Sequence, residues 1–200
     1  MNGVIDRRTR AEHLFKVVSS SRFLNKQGLG NEVPFFICPF GAEDGLTMVD
    51  DRKDLINRLG HESVTVLDID LYDLSMEILA EREILDQLLD IEPDTEKAEL
   101  KEMLQGVLDP QDHLIPKIAE RIENSGHDVI FLSGVGEVYP YLRSHNILNN
   151  LQSTAKDKPT VLFFPGNYTH ALATGASLDL FGLLHDDKYY RAFNIMNYEV

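Results

Sequence analysis

The sequence predicts one three-layer α/β domain over residues 1–200, with a mostly parallel sheet of about five strands and helices on both faces. Three observations carry that prediction. Segments such as VPFFICPF (33–40) and PTVLFFPG (159–166) are apolar throughout rather than alternating, which marks strands buried on both faces. Stretches with apolar residues at helical spacing separate them. Two hundred residues suffice for one substantial core, and no repeat or linker divides them.

The elements follow in order. TRAE (Thr9–Glu12) fits a capping box, and Ala11, Leu14, Phe15 and Val18 follow helical spacing beyond it. NKQGLGNE breaks this helix before the strand Val33–Phe40. From Thr47 to Leu59, the residues Met48, Leu55, Ile56 and Leu59 share a face, and Gly60 supplies a stop. SVTVLDIDLYDL predicts a second strand over Val64–Asp70, and Leu74–Leu89 a helix carrying Ile78, Leu85, Leu88 and Leu89. Asp90–Asp112 holds eight acids against two lysines and is read as an acidic helical insertion, a short helix between two turns. Asp109 before Pro110 starts the next helix, a capping oxygen followed by a preset φ. Leu114, Ile115, Ile118, Ala119 and Ile122 form its stripe, and Gly126 closes it. A third strand covers Asp128–Leu132, a helix Pro140–Leu151, a fourth strand Pro159–Gly166 and a fifth Tyr189–Met196.

Charge narrows the function classes. The net charge is −14, so the chain as a whole repels a phosphate backbone and nucleic acid is disfavoured. Residues 1–30 hold Arg7, Arg8, Arg10, Lys16, Arg22 and Lys26 against Asp6 and Glu12, a local +4 that leaves −18 for the remainder. A basic helical extension on an acidic body suits electrostatic docking to an acidic partner or nucleic acid; a solvated helix face is the plainer alternative. No apolar run reaches the length of a membrane span, and the first residues lack a signal peptide's apolar stretch. The chain therefore reads as soluble and cytoplasmic. Its single cysteine, Cys38, sits in an apolar run and reads as a buried filler.

Three predicted strand ends hold glycine, where an α/β sheet places its ligands: PFGAEDGLT, LSGVGEVYP and FFPGNYTHA. The first has the position of a GxxxxGK[ST] phosphate loop without its chemistry. Aligning Gly45 and Thr47 puts Leu46 where the lysine belongs and Phe40 at the first glycine, with Glu43 and Asp44 adding negative charge. In the second, Gly134 and Gly136 fit the first two positions of GxGxxG, but Tyr139 occupies the third, where close helix–strand packing needs glycine. The scaffold is thus of a degenerate P-loop NTPase-like or Rossmann-like kind. Ser133 is not in a G-x-S-x-G elbow, because Phe131 stands at the first glycine position. The seven histidines show no HxH or HExxH spacing. Asp68 and Asp70 alternate on one strand, as a metal pair or, more simply, as a solvated edge or helix cap; His185, Asp186 and Asp187 read as a turn. No catalytic constellation, metal site or cofactor is expected.

What remains is a mix of aromatic and basic residues in the last third: Tyr139, Tyr141, Arg143 and His145, then Tyr168 and His170, then Tyr189, Tyr190 and Arg191. Tyrosine and arginine concentrate in interface hot spots, and the arginines suit phosphate or carboxylate. Internal pairing with the abundant acids is the competing explanation. A partner-binding reading uses Gly134, Gly136, Tyr139, Arg143, His145, Tyr190 and Arg191. A nucleotide-binding or residual phosphohydrolase reading needs Gly134, Gly136, Arg143 and His145 in one cleft. Nucleic-acid binding through Arg7, Arg8 and Arg10 ranks last.

FLSGVGEVYPYLRSHNILNNL (131–151), PTVLFFPGNY (159–168) and LFGLL followed by KYYRAFNI (180–184 and 188–195) resemble the recurrent segments of BrxB proteins from BREX phage-defence systems. RFLNKQGLGNEVPFFICPF (22–40) is compatible with that family's opening strand. The resemblance covers most of the chain, and its most specific segments lie between Gly134 and Ile195. It implies a small component of a multi-protein system that includes a methyltransferase, a large ATPase and a phosphatase-like protein called PglZ. It further implies a partner-binding role, with PglZ as the expected partner and other BREX components besides, and it brings no catalytic residues with it.

Overall fold

The computed structural model describes residues 6–27, 34–171, 175–186 and 192–200. Tyr189, Tyr190, Arg191 and Asp187 lie outside the described residues, as does the side chain of His170.

Helix α1 (Arg7–Val18) is capped by Asp6, whose carboxylate accepts from the Thr9 amide at 3.3 Å. The expected capping box at Thr9 is therefore not used; a carboxylate at the helix's positive end is an equally good cap. A short α2 (Ser21–Leu24) precedes β1 (Phe35–Phe40). Helix α3 (Gly45–His61) runs past Gly60, and the chain turns instead at Ser63, in the left-handed region at φ 61°. Strand β2 (Val66–Asp70) leads directly into α4 (Leu71–Glu81), with Asp70 accepting from the Tyr72 and Asp73 amides. The single helix predicted over 74–89 is two, α4 and α5 (Leu85–Ile91), because Glu83 adopts φ 57° between them.

The acidic stretch forms α6 (Lys97–Val107), and Leu100, Met103, Leu104 and Val107 pack against the main core. Asp109 caps the next turn through the Gln111 and Asp112 amides, at 2.8 and 3.1 Å, ahead of α7 (Ile115–Glu123). Strand β3 (Val129–Ser133), α8 (Ser144–Leu151) and β4 (Thr160–Ala171) follow. The sequence reading missed a hairpin of β5 (Gly175–Leu180) and β6 (Leu184–Asp186); His185 and Asp186 belong to β6 rather than to a turn. The predicted fifth strand is represented by β7 (Phe193–Asn194).

Five strands run parallel in the order β2-β3-β4-β1-β7. Strands β1 and β2 stand apart here, unlike in the dinucleotide-binding order 3-2-1-4-5-6. The connection leaving β1 travels to the edge at β2, whereas the one leaving β4 travels the other way, to β7. Neighbouring strands that send the chain in opposite directions open a crevice beyond their carboxyl ends, the usual ligand position in such sheets. Strand β4 is long because it serves two sheets. Residues 160–165 pair in parallel with β1, and 166–171 pair antiparallel with β5.

Alternate side chains of each strand supply two cores. Phe36, Cys38, Phe131 and Phe163 face α1 and α3, together with Leu14, Val17, Leu55 and Leu59. Phe35, Ile37, Ile130, Leu132, Leu162 and Phe164 face the other way, onto α4, α7 and α8 through Leu74, Ile78, Ile118, Leu148 and Leu151. This burial on both faces is why the strands read as unbroken apolar runs.

Candidate functional site

A cleft of about 290 Å³ opens at the carboxyl ends of the parallel strands. Its walls come from the β1–α3 connection (Phe40, Ala42), the first turns of α3 (Gly45, Met48, Val49, Arg52) and the segment after β3 (Ser133–Glu137). Phe163, Pro165 and Phe181 of β4 and the hairpin complete its apolar lining. Three sequence-predicted strand-end segments thus meet at one place, as the layout requires.

Arg52 is the one cation among the described residues that line the cleft, and it is 7% exposed. Its Nε lies 3.5 Å from Asp68 and its Nη2 3.7 Å from Asp70, loose ion pairs without hydrogen-bond geometry at Nε. Asp70 is fully engaged. One oxygen caps α4, and the other accepts the Ser133 hydroxyl at 2.8 Å. Burial pushes the Asp68 carboxyl above its ordinary value, against the opposing pull of Arg52. Two carboxylates therefore face one guanidinium, and Glu137 adds a third negative charge at the exposed mouth. A unit pair near 4 Å at an effective dielectric of about 20 interacts by roughly 4 kcal/mol. With the acids in the majority, that balance works against a phosphate entering here.

The strand-end glycines serve the chain's own packing. Gly134 has φ 79°, and a Cβ there would stand 2.5 Å from an Asp70 carboxylate oxygen and 2.9 Å from the Tyr72 amide. It lets the turn close against the capped start of α4. A Cβ on Gly136 would meet the Phe181 ring at 3.0 Å and Pro165 at 3.2 Å. In the β1–α3 connection, the Glu43 carboxylate folds over Gly41, within 2.6 Å of where a Cβ would lie. An acid covers the loop at the position where a phosphate loop keeps its amides open.

The other candidates do not join this cleft. The guanidinium of Arg143 stands 5.1 Å from the centre of the Tyr139 ring, in a separate crevice formed with Leu178, Leu180 and Leu184 of the hairpin. His145 is 5% exposed and is withdrawn from the surface on α8. Gly134 and Gly136 line the cleft, whereas Arg143 lines the other crevice and His145 lines neither, so the four do not share this cleft. Tyr168 is buried and donates its hydroxyl to the Ala192 carbonyl at 2.6 Å. At the basic end, Arg7 pairs with Asp51 at 2.6 Å, and Arg10 is buried between Asp44 at 3.1 Å and Asp51 at 3.8 Å. Glu12 takes Arg58 at 3.0 and 3.1 Å. These ion pairs join α1 to α3 and the turn before it and engage Arg7 and Arg10, while Arg8 keeps an exposed, unbridged position among the described contacts.

The border of the cleft, meaning the residues adjacent or next but one in sequence to its lining, carries apolar side chains exposed to a degree unusual for single residues. Leu46, in the first turn of α3, is 90% exposed, and Leu183, in the hairpin turn, is 84% exposed; Val49, Tyr72 and Phe181 add further surface. Phe181 adopts φ 56°, uncommon for an aromatic residue, which carries its ring into the cleft beside Gly136. Sequence reasoning missed Arg52, Leu46, Val49 and Phe181. The alternation in SLDL before Phe181-Gly182 was the one local signal for the hairpin; nothing local marks Arg52, whose partners lie sixteen and eighteen residues away.

A family model described as BREX protein BrxB matches residues 67–195. A BREX protein BrxB from Bacillus cereus (strain H3081.97) is 32% identical over 192 residues, covering 94% of this chain and 96% of the relative. Another, from Escherichia coli O9:H4 (strain HS), is 26% identical over 179 residues, covering 90% and 86%. No solved structure matches significantly. With the family model spanning most of the chain and relatives aligned nearly end to end, the chain belongs to the BrxB family of BREX proteins.

Proposed function

We propose that this chain is a non-catalytic assembly component of a BREX phage-defence system that docks the phosphatase-like PglZ protein through the strand-end cleft and its border. The observation that carries the reading is the border itself. Leu46, which follows the lining residue Gly45, and Leu183, two residues after the lining residue Phe181, are left almost fully in water. Partner interfaces place such side chains at their centres and surround them with polar groups. Family membership supports a role among BREX proteins, and the acid majority in the cleft argues for protein rather than nucleotide. Tyr139 and Arg143, half-buried beside the hairpin, extend the same side of the molecule.

The test is a calorimetric titration against the PglZ protein of the same system, with Leu46→Glu and Arg143→Ala run in parallel. Binding that weakens at least about tenfold in Leu46→Glu supports the reading. No heat of binding to PglZ removes PglZ as the partner.

A further inference from the structure

We infer that the cleft receives one large apolar side chain of a partner protein, flanked on that partner by a lysine or arginine. The inference rests on the docking reading above and specifies its occupant. The cleft's volume, about 290 Å³, accommodates a single aromatic or leucine-sized anchor with its backbone rather than an extended segment. The lining that such an anchor touches is apolar: Met48, Val49, Phe163, Pro165 and Phe181. Charge complementarity sets the flanking residue. The mouth carries Glu137, which is exposed, and Glu43 follows the lining residue Ala42 in sequence. Among the described residues, the one lining cation, Arg52, is outnumbered by Asp68 and Asp70, which already engage its charge. A basic side chain next to the anchor meets Glu137 as the anchor enters, and an acidic one is repelled.

The chain contains no tryptophan, so one introduced tryptophan reports the cleft alone. Phe181→Trp places it in the lining from the hairpin, and Val49→Trp places it there from α3, which keeps the measurement available if either variant fails to fold. The probes are two short blocked peptides, one with phenylalanine between two arginines and one with phenylalanine between two glutamates. A single anchor implies weak binding, on the order of millimolar. The expected result is a blue shift of tryptophan emission with the arginine peptide and none with the glutamate peptide. Glu137→Lys is expected to weaken the arginine peptide about threefold or more and to reduce its salt dependence. Equal response to both peptides, or response to neither in both reporters, overturns the inference. The same reporters separate it from the docking reading: PglZ that binds by calorimetry without shifting either tryptophan leaves docking intact and removes the cleft as its anchor site.

Discussion

Two side chains carry predictions that depend on burial alone. Cys38 is fully buried in the core beneath α1 and α3, and burial pushes its thiol up to about 12. The thiolate is therefore scarce at neutral pH, and a disulfide exchange reagent is expected to leave Cys38 unmodified until denaturant is added. His127 is buried at the amino end of β3, with Nδ1 3.2 Å from the Ser125 carbonyl and no hydrogen-bond partner at Nε2. Burial, the largest influence, lowers its pKa from 6.5; Lys158 works in the same direction, and the Ser125 carbonyl and Asp128 oppose it. The folded state thus binds the proton less readily than the unfolded chain. Its contribution to stability is present above 6.5 and is lost as pH falls through the lowered value. Urea midpoints measured across mildly acidic pH should fall less steeply in His127→Leu than in the native chain. At this scale the sequence was readable where chemistry is local. Cys38 in an apolar run and Asp70 before a helix were both legible, and the packing function of Gly134 was anticipated as a tight turn. The partners of Arg7 and Arg10 were not legible, because Asp44 and Asp51 lie more than thirty residues away and only the fold unites them.

Helices and strands were found wherever their cause was periodicity. The errors fell at ends and at short strands, where one residue's φ decides. Glu83 splits a helix that has no proline or glycine to announce it, and Ser63 ends α3 after Gly60 has been passed. The α1–α3 pairing predicts a measurable loss. Arg10→Ala leaves the Asp51 carboxylate, already short of a hydrogen bond at one oxygen, with only Arg7 beside it. Because that carboxylate keeps some solvent contact, the cost is expected to be about 2 kcal/mol, below that of breaking a fully buried pair, read from chemical denaturation. The hairpin predicts another. At Gly166 a Cβ would stand 2.1 Å from the Asp179 carbonyl oxygen. Gly166→Ala forces the two strands apart, at about 2 kcal/mol or more, and should accelerate amide exchange in β5 while leaving β3 protected.

For the molecule as a whole, the charge of −14 makes association with a basic partner surface sensitive to ionic strength. If PglZ docks as proposed, its on-rate is expected to fall as salt rises from low to physiological levels, with a smaller change in dissociation; an on-rate indifferent to salt would place the contact away from the acidic mouth. The fold class was legible because a doubly covered sheet writes itself as apolar runs. The cleft's border was not, because a leucine at 46 reads the same in solvent as in a core until the neighbouring elements are in place. The hairpin that completes that border is no loose appendage. Its strand β5 pairs along the far half of β4, whose near half lies between β1 and β3 in the middle of the parallel sheet. A force applied along β5 would therefore pass through the β4–β5 ladder into a strand clamped on both sides, loading those bonds in shear and together rather than peeling them singly. The arm behaves as a strut anchored at the centre of the domain, able to hold a large neighbour at a fixed angle.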